Sequence, residues 1–180
     1  MAFNYNTELK DASLLINFGG TFLQAFEFEG AKKDISGYRT SAWINTCLTT
    51  SPVYDVIGPD AVKFLNSICV NDFTKLTTKG MRHAILCNDK GQILTDGVCI
   101  RIAEDRYRTY WLTPVINYYM SVTDLDVHGE DMTGREYFIQ VDGEKSLEIL
   151  ENAFNQDLHD IRFATHRQID VDGKKEQKAA

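Results

Sequence analysis

The amino-acid sequence predicts an α+β fold, and three observations carry that prediction. β-rich runs such as Val53-Tyr54-Asp55-Val56-Ile57 alternate with stretches in which apolar residues recur every three or four positions. The segment Asn88-Asp89-Lys90-Gly91 reads as a tight turn joining two β-type runs, which implies an antiparallel sheet. A strand–glycine–helix unit also occurs twice. Its copies are Val56-Ile57-Gly58-Pro59-Asp60-Ala61-Val62-Lys63-Phe64-Leu65 and Val141-Asp142-Gly143-Glu144-Lys145-Ser146-Leu147-Glu148-Ile149-Leu150.

Taken in order, Asn6 or Thr7 is placed to cap a helix from about Glu8 to Phe18, with Leu9, Leu14, Leu15 and Phe18 along one side and Gly19-Gly20 as its stop. After the aromatic stretch Phe22 to Phe28, a second helix is expected over Ala31 to Trp43. The strand Val53 to Ile57 ends at Gly58-Pro59-Asp60, where Pro sits near the first helical position. Ala61, Phe64, Leu65, Ile68 and Cys69 then form the core face of a helix closed by Asn71-Asp72. Ala84 to Cys87 is a buried-type strand, and Gln92 to Ile102 is the returning strand, expected to break near Asp96-Gly97. Arg106 to Leu112 is a further strand, and Thr113-Pro114 opens a helix to about Val122. The second unit is expected as strand Tyr137 to Val141, helix Glu144 to Phe154 and strand Ile161 to Ile169. Three segments follow: an N-terminal helical segment (1–50), an α+β domain (51–170) and a frayed polar tail (171–180).

The 180 residues are 43% hydrophobic and 25% charged, a globular composition. The net charge of −7 argues against binding the phosphate backbone of nucleic acid, which depends on clustered Lys and Arg. No apolar run approaches the roughly 20 residues needed to span a bilayer. The start, Met1-Ala2-Phe3-Asn4-Tyr5-Asn6, lacks a secretory pattern, so a cytoplasmic protein without membrane contact is expected. Cys47, Cys69, Cys87 and Cys99 show no C-x-x-C spacing, and His83, His128, His159 and His166 no ligand spacing, so no metal site is expected.

No stock catalytic motif is present. The most informative local feature is Asp96 in Ile93-Leu94-Thr95-Asp96-Gly97-Val98, a carboxylate inside a β-forming run. Gly97 behind it implies a bulge or a close backbone approach to a ligand. A carboxylate there is suited to holding a ring N–H or taking a proton, and a solvated edge turn is the plainer alternative. His83 begins the preceding strand. Tyr107, Tyr110, Trp111, Tyr118 and Tyr119 offer faces for stacking a planar heterocycle, although packing accounts for most such residues.

The block Tyr54 to Asn66, followed by Asn71-Asp72-Phe73-Thr74-Lys75-Leu76 and the hairpin at Gly91, resembles the folate-binding family of the glycine-cleavage T-protein. The resemblance runs from about Phe28 to Gly173. It implies a T-protein-like folate-binding domain of strand–helix–strand units, tetrahydrofolate as cofactor, and transfer of a methyl or aminomethyl group from a small-molecule donor. By family position the catalytic aspartate falls on Thr95, with its neighbour kept as Asp96, and His83, Thr95, Asp96, Gly97 and Thr113 line the folate site. Reading Thr95-Asp96 in place of Asp-Asp, together with Arg39-x-Ser41-Ala42, is more similar to the aromatic O-demethylase branch. Cys47, Thr50 and Leu112 depart from that branch's polar substrate contacts. Family members are longer, and Glu, Arg and Tyr residues beyond the stretch seen here close the pocket. The resemblance therefore implies a fragment, or a site completed by a second chain or a further copy. A non-catalytic folate- or partner-binding remnant is the rival reading. A related iron–sulfur assembly factor is a third, whose Cys-containing motif is not seen.

Overall fold

The computed structural model describes residues 11–18, 22–45, 51–171 and 174–179. In chain order the elements are β1 (Leu14–Phe18), β2 (Phe22–Glu27), α1 (Ala31–Thr40), β3 (Trp43–Asn45), β4 (Val53–Ile57), α2 (Ala61–Ile68), β5 (Met81–Cys87) and β6 (Ile93–Ala103). They continue with β7 (Arg106–Tyr110), α3 (Val115–Ser121), β8 (His128–Asp131), β9 (Gln140–Asp142), α4 (Ser146–Phe154), β10 (His166–Val171) and β11 (Lys174–Ala179). The fold is α+β with antiparallel sheets, as the sequence predicts. It divides into two compact units, one formed by residues 1–51 with 137–159 and the other by 52–136 with 160–180. Among the described residues no helix is long and apolar enough to cross a membrane.

The second unit is built on a five-stranded sheet ordered β5-β6-β7-β4-β8. Its core gathers Tyr54 and Val56 of β4, Ala84 and Leu86 of β5, Cys99 of β6 and Tyr107 of β7 against Ala61, Phe64 and Leu65 of α2 and Ile116 of α3. Phe64 and Leu65 recur with Ala61 at the helical three- and four-residue steps, and none of the three exceeds 1% exposure. Burial of each of the two larger side chains contributes about 1.5–3 kcal/mol. Beyond α2, Asn66 Oδ1 accepts from Phe73 N–H at 2.8 Å and closes the turn. The outer edge of β5 is covered by irregular chain. Val70 N–H donates to Ile85 C=O, Ile85 N–H to Asn71 Oδ1, and Met81 N–H to Ala164 C=O.

In the first unit β1 pairs with β2, and β3 pairs with β9, Trp43 opposite Asp142 and Asn45 opposite Gln140. The repeated unit is real: β4 leads through Gly58 into α2, and β9 through Gly143 into α4. Both glycines have positive φ, 137° and 121°, and a Cβ there would lie 2.4 Å from Asp126 O and 2.7 Å from Ser41 O respectively. Only glycine tolerates both conditions.

Several local expectations are corrected. Leu14 to Phe18 is a strand and not the end of a helix, because Leu14-Leu15-Ile16-Asn17-Phe18 finds a partner strand in Phe22–Glu27. The start of that expected helix and Gly19-Gly20 lie outside the described residues. The second helix stops at Thr40, and Trp43 already belongs to β3. The strand expected over Tyr137 to Val141 is confined to Gln140–Asp142, and the strand expected from Ile161 begins only at His166. Lys174–Ala179, read as frayed tail, pairs along its length with β10.

The break expected at Asp96-Gly97 is absent, since β6 runs unbroken through both residues. The irregularity falls earlier, where Leu86 opposes Thr95 but Cys87 opposes Ile93. Gly97 holds the strand flat against its neighbour: a Cβ there would lie 2.0 Å from Tyr110 O. The close backbone approach read from this glycine is thus to β7.

Candidate functional site

Alternation along β6 decides how the candidate residues divide. Ile85 opposes Asp96 and His83 opposes Val98, so His83 and Asp96 are diagonal neighbours on one face. His83 Nδ1 lies 3.5 Å from Asp96 Oδ1, and the side chains are 71% and 53% exposed. Asp96 is therefore an open carboxylate beside an imidazole, and not one enclosed in a pocket of this unit.

Thr95 and Gly97 project to the opposite face, where Thr95 pairs with buried Leu86 and Gly97 with buried Ala84. The Thr95 hydroxyl donates to Trp111 C=O at 2.7 Å, tying β6 to the end of β7. At Trp111 the backbone turns left-handed, φ 67°, and Thr113 follows just ahead of α3. The Thr113 hydroxyl oxygen is buried without a hydrogen-bond partner, as is Asn117 Oδ1 one turn later. The five candidates thus fall into two groups, His83 with Asp96 on one side of the sheet, and Thr95 with Gly97 on the other, the latter joined through Trp111 to the segment that carries Thr113.

A charge network, not singled out by the sequence reading, lies on the His83–Asp96 face. Asp55 on β4 is fully buried. Arg108 donates to it through Nε (2.8 Å) and Nη2 (3.0 Å), and Arg106 through Nε (2.7 Å). Arg108 Nη1 also meets Glu136 at 3.0 Å, and Arg106 Nη2 meets Glu130 at 3.1 Å. Burial by itself would lower the Arg108 pKa, but the hydrogen bond and charge of Asp55, with Glu136, reverse that and raise it. Burial pushes the Tyr110 phenol up to about 12, against the opposing effect of the nearby Arg108 charge. The available signal was Arg106-x-Arg108, two cations two residues apart on one strand, facing a carboxylate inside an apolar one.

On α4 and the loop after it, His159 Nδ1 lies 2.7 Å from Glu151 Oε1 and 3.3 Å from Asp157 Oδ1. The hydrogen bond to Glu151 raises the His159 pKa, so the three side chains satisfy one another as an exposed ion pair.

Tetrahydrofolate presents amine and amide N–H groups that a solvent-open carboxylate such as Asp96 can accept, whereas the Thr113 hydroxyl oxygen is buried without a partner inside the protein.

Comparison with known proteins bears on most of the chain. It is 48% identical over 163 residues to sesamin methylene transferase of Sinomonas sp. (strain No.22), a match covering 89% of this chain and 35% of that protein. It is 22% identical over 166 residues to syringate O-demethylase of Sphingobium sp. (strain NBRC 103272 / SYK-6), covering 82% of this chain and 36% of that protein. The chain spans about a third of the length of these curated relatives. The crystal structure of glycine cleavage system aminomethyltransferase T from Bartonella henselae superposes with a TM-score of 0.77 at 18% identity, over 90% of this chain and 45% of that one. That likeness establishes the T-protein fold. Residues 8–177 match the model of the GCVT N-terminal domain, and the chain belongs to that family.

Proposed function

We propose that this chain is the tetrahydrofolate-facing module of a one-carbon transferase that moves a methyl, methylene or aminomethyl group from a small-molecule donor. The observation that carries the reading is the 48% identity to a methylene transferase across 89% of the chain. Bound tetrahydrofolate supplies the nitrogen nucleophile that takes up the one-carbon unit. Asp96 accepts an N–H of the cofactor and fixes its orientation, a charge-assisted contact. His83, 3.5 Å away, stands ready to hold or pass a proton at the same place, a separation that ligand binding would shorten. Thr95, at the family's catalytic position, acts through its bond to Trp111 by keeping β6 and Asp96 in place. Gly97 admits the close strand contact, and Thr113 offers its hydroxyl. A cytoplasmic setting is part of this proposal.

The half-exposed Asp96 side chain favours a second reading in part, in which the module binds folate without turning over until another chain or a further copy covers the site. Titration of the chain with tetrahydrofolate, followed by amide chemical shifts, tests the proposal. Weak but saturable binding is expected, with shifts at His83 and Asp96. Asp96→Ala should weaken it about tenfold to a hundredfold. An absence of saturable shifts up to millimolar ligand would remove folate from the account.

A further inference from the structure

We infer that Ile85 and Val98 form the floor on which the fused two-ring pterin end of tetrahydrofolate lies flat, its N–H edge turned to Asp96. The inference rests on the folate reading above and deepens it, by assigning which part of the cofactor the sheet takes and how that part lies. Ile85 opposes Asp96 and His83 opposes Val98, so the four side chains stand on one face of β5 and β6. The two polar residues occupy one diagonal of this square and the two aliphatic residues the other. Opposed side chains are about 5 Å apart across the strands, and successive residues on one face about 7 Å apart along them. The square is thus the size of a fused pair of six-membered rings.

The core helices α2 and α3 pack on the opposite face, with Ala84, Leu86 and Cys99. On the near face burial falls along β6, from Ile100 at 2% exposure through half-buried Val98 to Asp96, whose side chain is 53% exposed. Ile85 is likewise half-buried. The face therefore opens toward the β5–β6 hairpin, and Asp96 stands where aliphatic surface meets water. A few placed polar groups at the rim of an apolar surface are what orients a ring that carries one polar edge. Contact of the ring face with Ile85 and Val98 releases water from both sides. The reduced ring of tetrahydrofolate is puckered, so aliphatic side chains suit it better than a flat aromatic partner, whose preferred stacking needs a planar ring.

The test uses the chain with isotope-labelled Ile and Val methyl groups and tetrahydrofolate under anaerobic conditions. Nuclear Overhauser contacts are expected between the saturated-ring protons of the pterin and the methyl groups of Ile85 and Val98. Val98→Thr keeps the shape of the side chain but replaces a methyl by a hydroxyl, and Ile85→Thr removes more apolar surface. Each should weaken tetrahydrofolate binding about threefold to tenfold while unfolding stays cooperative. The wild-type contacts decide the matter even where a variant fails to fold. Contacts from these methyls to the aminobenzoyl ring alone, or folded variants that bind as tightly as wild type, overturn the inference while the folate reading stands. A wild-type chain that takes up no folate overturns both.

Discussion

Asp55→Ala is the substitution for which the structure sets the clearest magnitude. It removes a carboxylate of zero exposure and three hydrogen bonds from two guanidinium groups. Arg106, 33% exposed, retains Glu130 and can be rehydrated. Arg108, 7% exposed, keeps Glu136 on one nitrogen but loses both bonds to Asp55. The cost is therefore concentrated on Arg108, and breaking a buried pair in this way costs about 3–5 kcal/mol. For a chain of this size that corresponds to a fall in Tm of about 6–20 °C. Urea denaturation followed by circular dichroism gives the free energy, with calorimetry as a check on cooperativity. The double variant Asp55→Leu, Arg108→Met should recover most of the loss, since the same volume is then filled without an uncompensated charge. An Asp55→Ala protein within about 1 kcal/mol of wild type would show that water reaches Arg108 readily and that the network is not a closed one.

Two further outcomes follow from the same unit. Gly97→Ala places a methyl 2.0 Å from Tyr110 O, so β6 and β7 must part; a loss of at least about 2 kcal/mol is expected in thermal unfolding, and wild-type stability would refute the close approach. Burial lowers the His166 pKa below 6.5, only partly opposed by its bond to Arg101 C=O. The unfolded chain then binds a proton that the folded chain resists, so stability is full above about pH 6.5 and declines as pH falls through the folded value. His166→Gln should flatten that decline in urea midpoints measured between about pH 7 and pH 5; an unchanged slope would assign the loss to other groups.

The centre of the fold was legible because its signals are local. Ala61, Phe64 and Leu65 repeat at helical spacing, and the side chain of Asn88 accepts from Lys90 and Gln92 N–H to shape the hairpin turn. Leu14 to Phe18 misled because a short apolar run suits a helix or a strand equally, and the decision rests on pairing with Phe22–Glu27. The sequence offered the candidate residues one by one but not how they group. Asp96 and Thr95 are sequence neighbours, and an unbroken strand sends neighbours to opposite faces. Expecting a break at Gly97 concealed that consequence. Asp55 escaped notice for a different reason: within Val53 to Ile57 it reads as an ordinary polar position, and its meaning appears only when β7 brings Arg106 and Arg108 alongside.

The pairing of β3 with β9 has a consequence for how the chain acquires its shape. Trp43 and Asp142 are neighbours in space but about a hundred residues apart along the chain. The strand that partners β3 leaves the ribosome only after the whole five-stranded sheet of the other unit has been made. During synthesis the sheet bearing His83 and Asp96 can therefore mature first, with α1 and β3 waiting as an unclosed arm. Closing that long loop is entropically cheaper once the intervening residues are already compact. The order of assembly is written into the topology: the face that carries His83 and Asp96 is laid down before the strand pair that joins the two ends of the other unit.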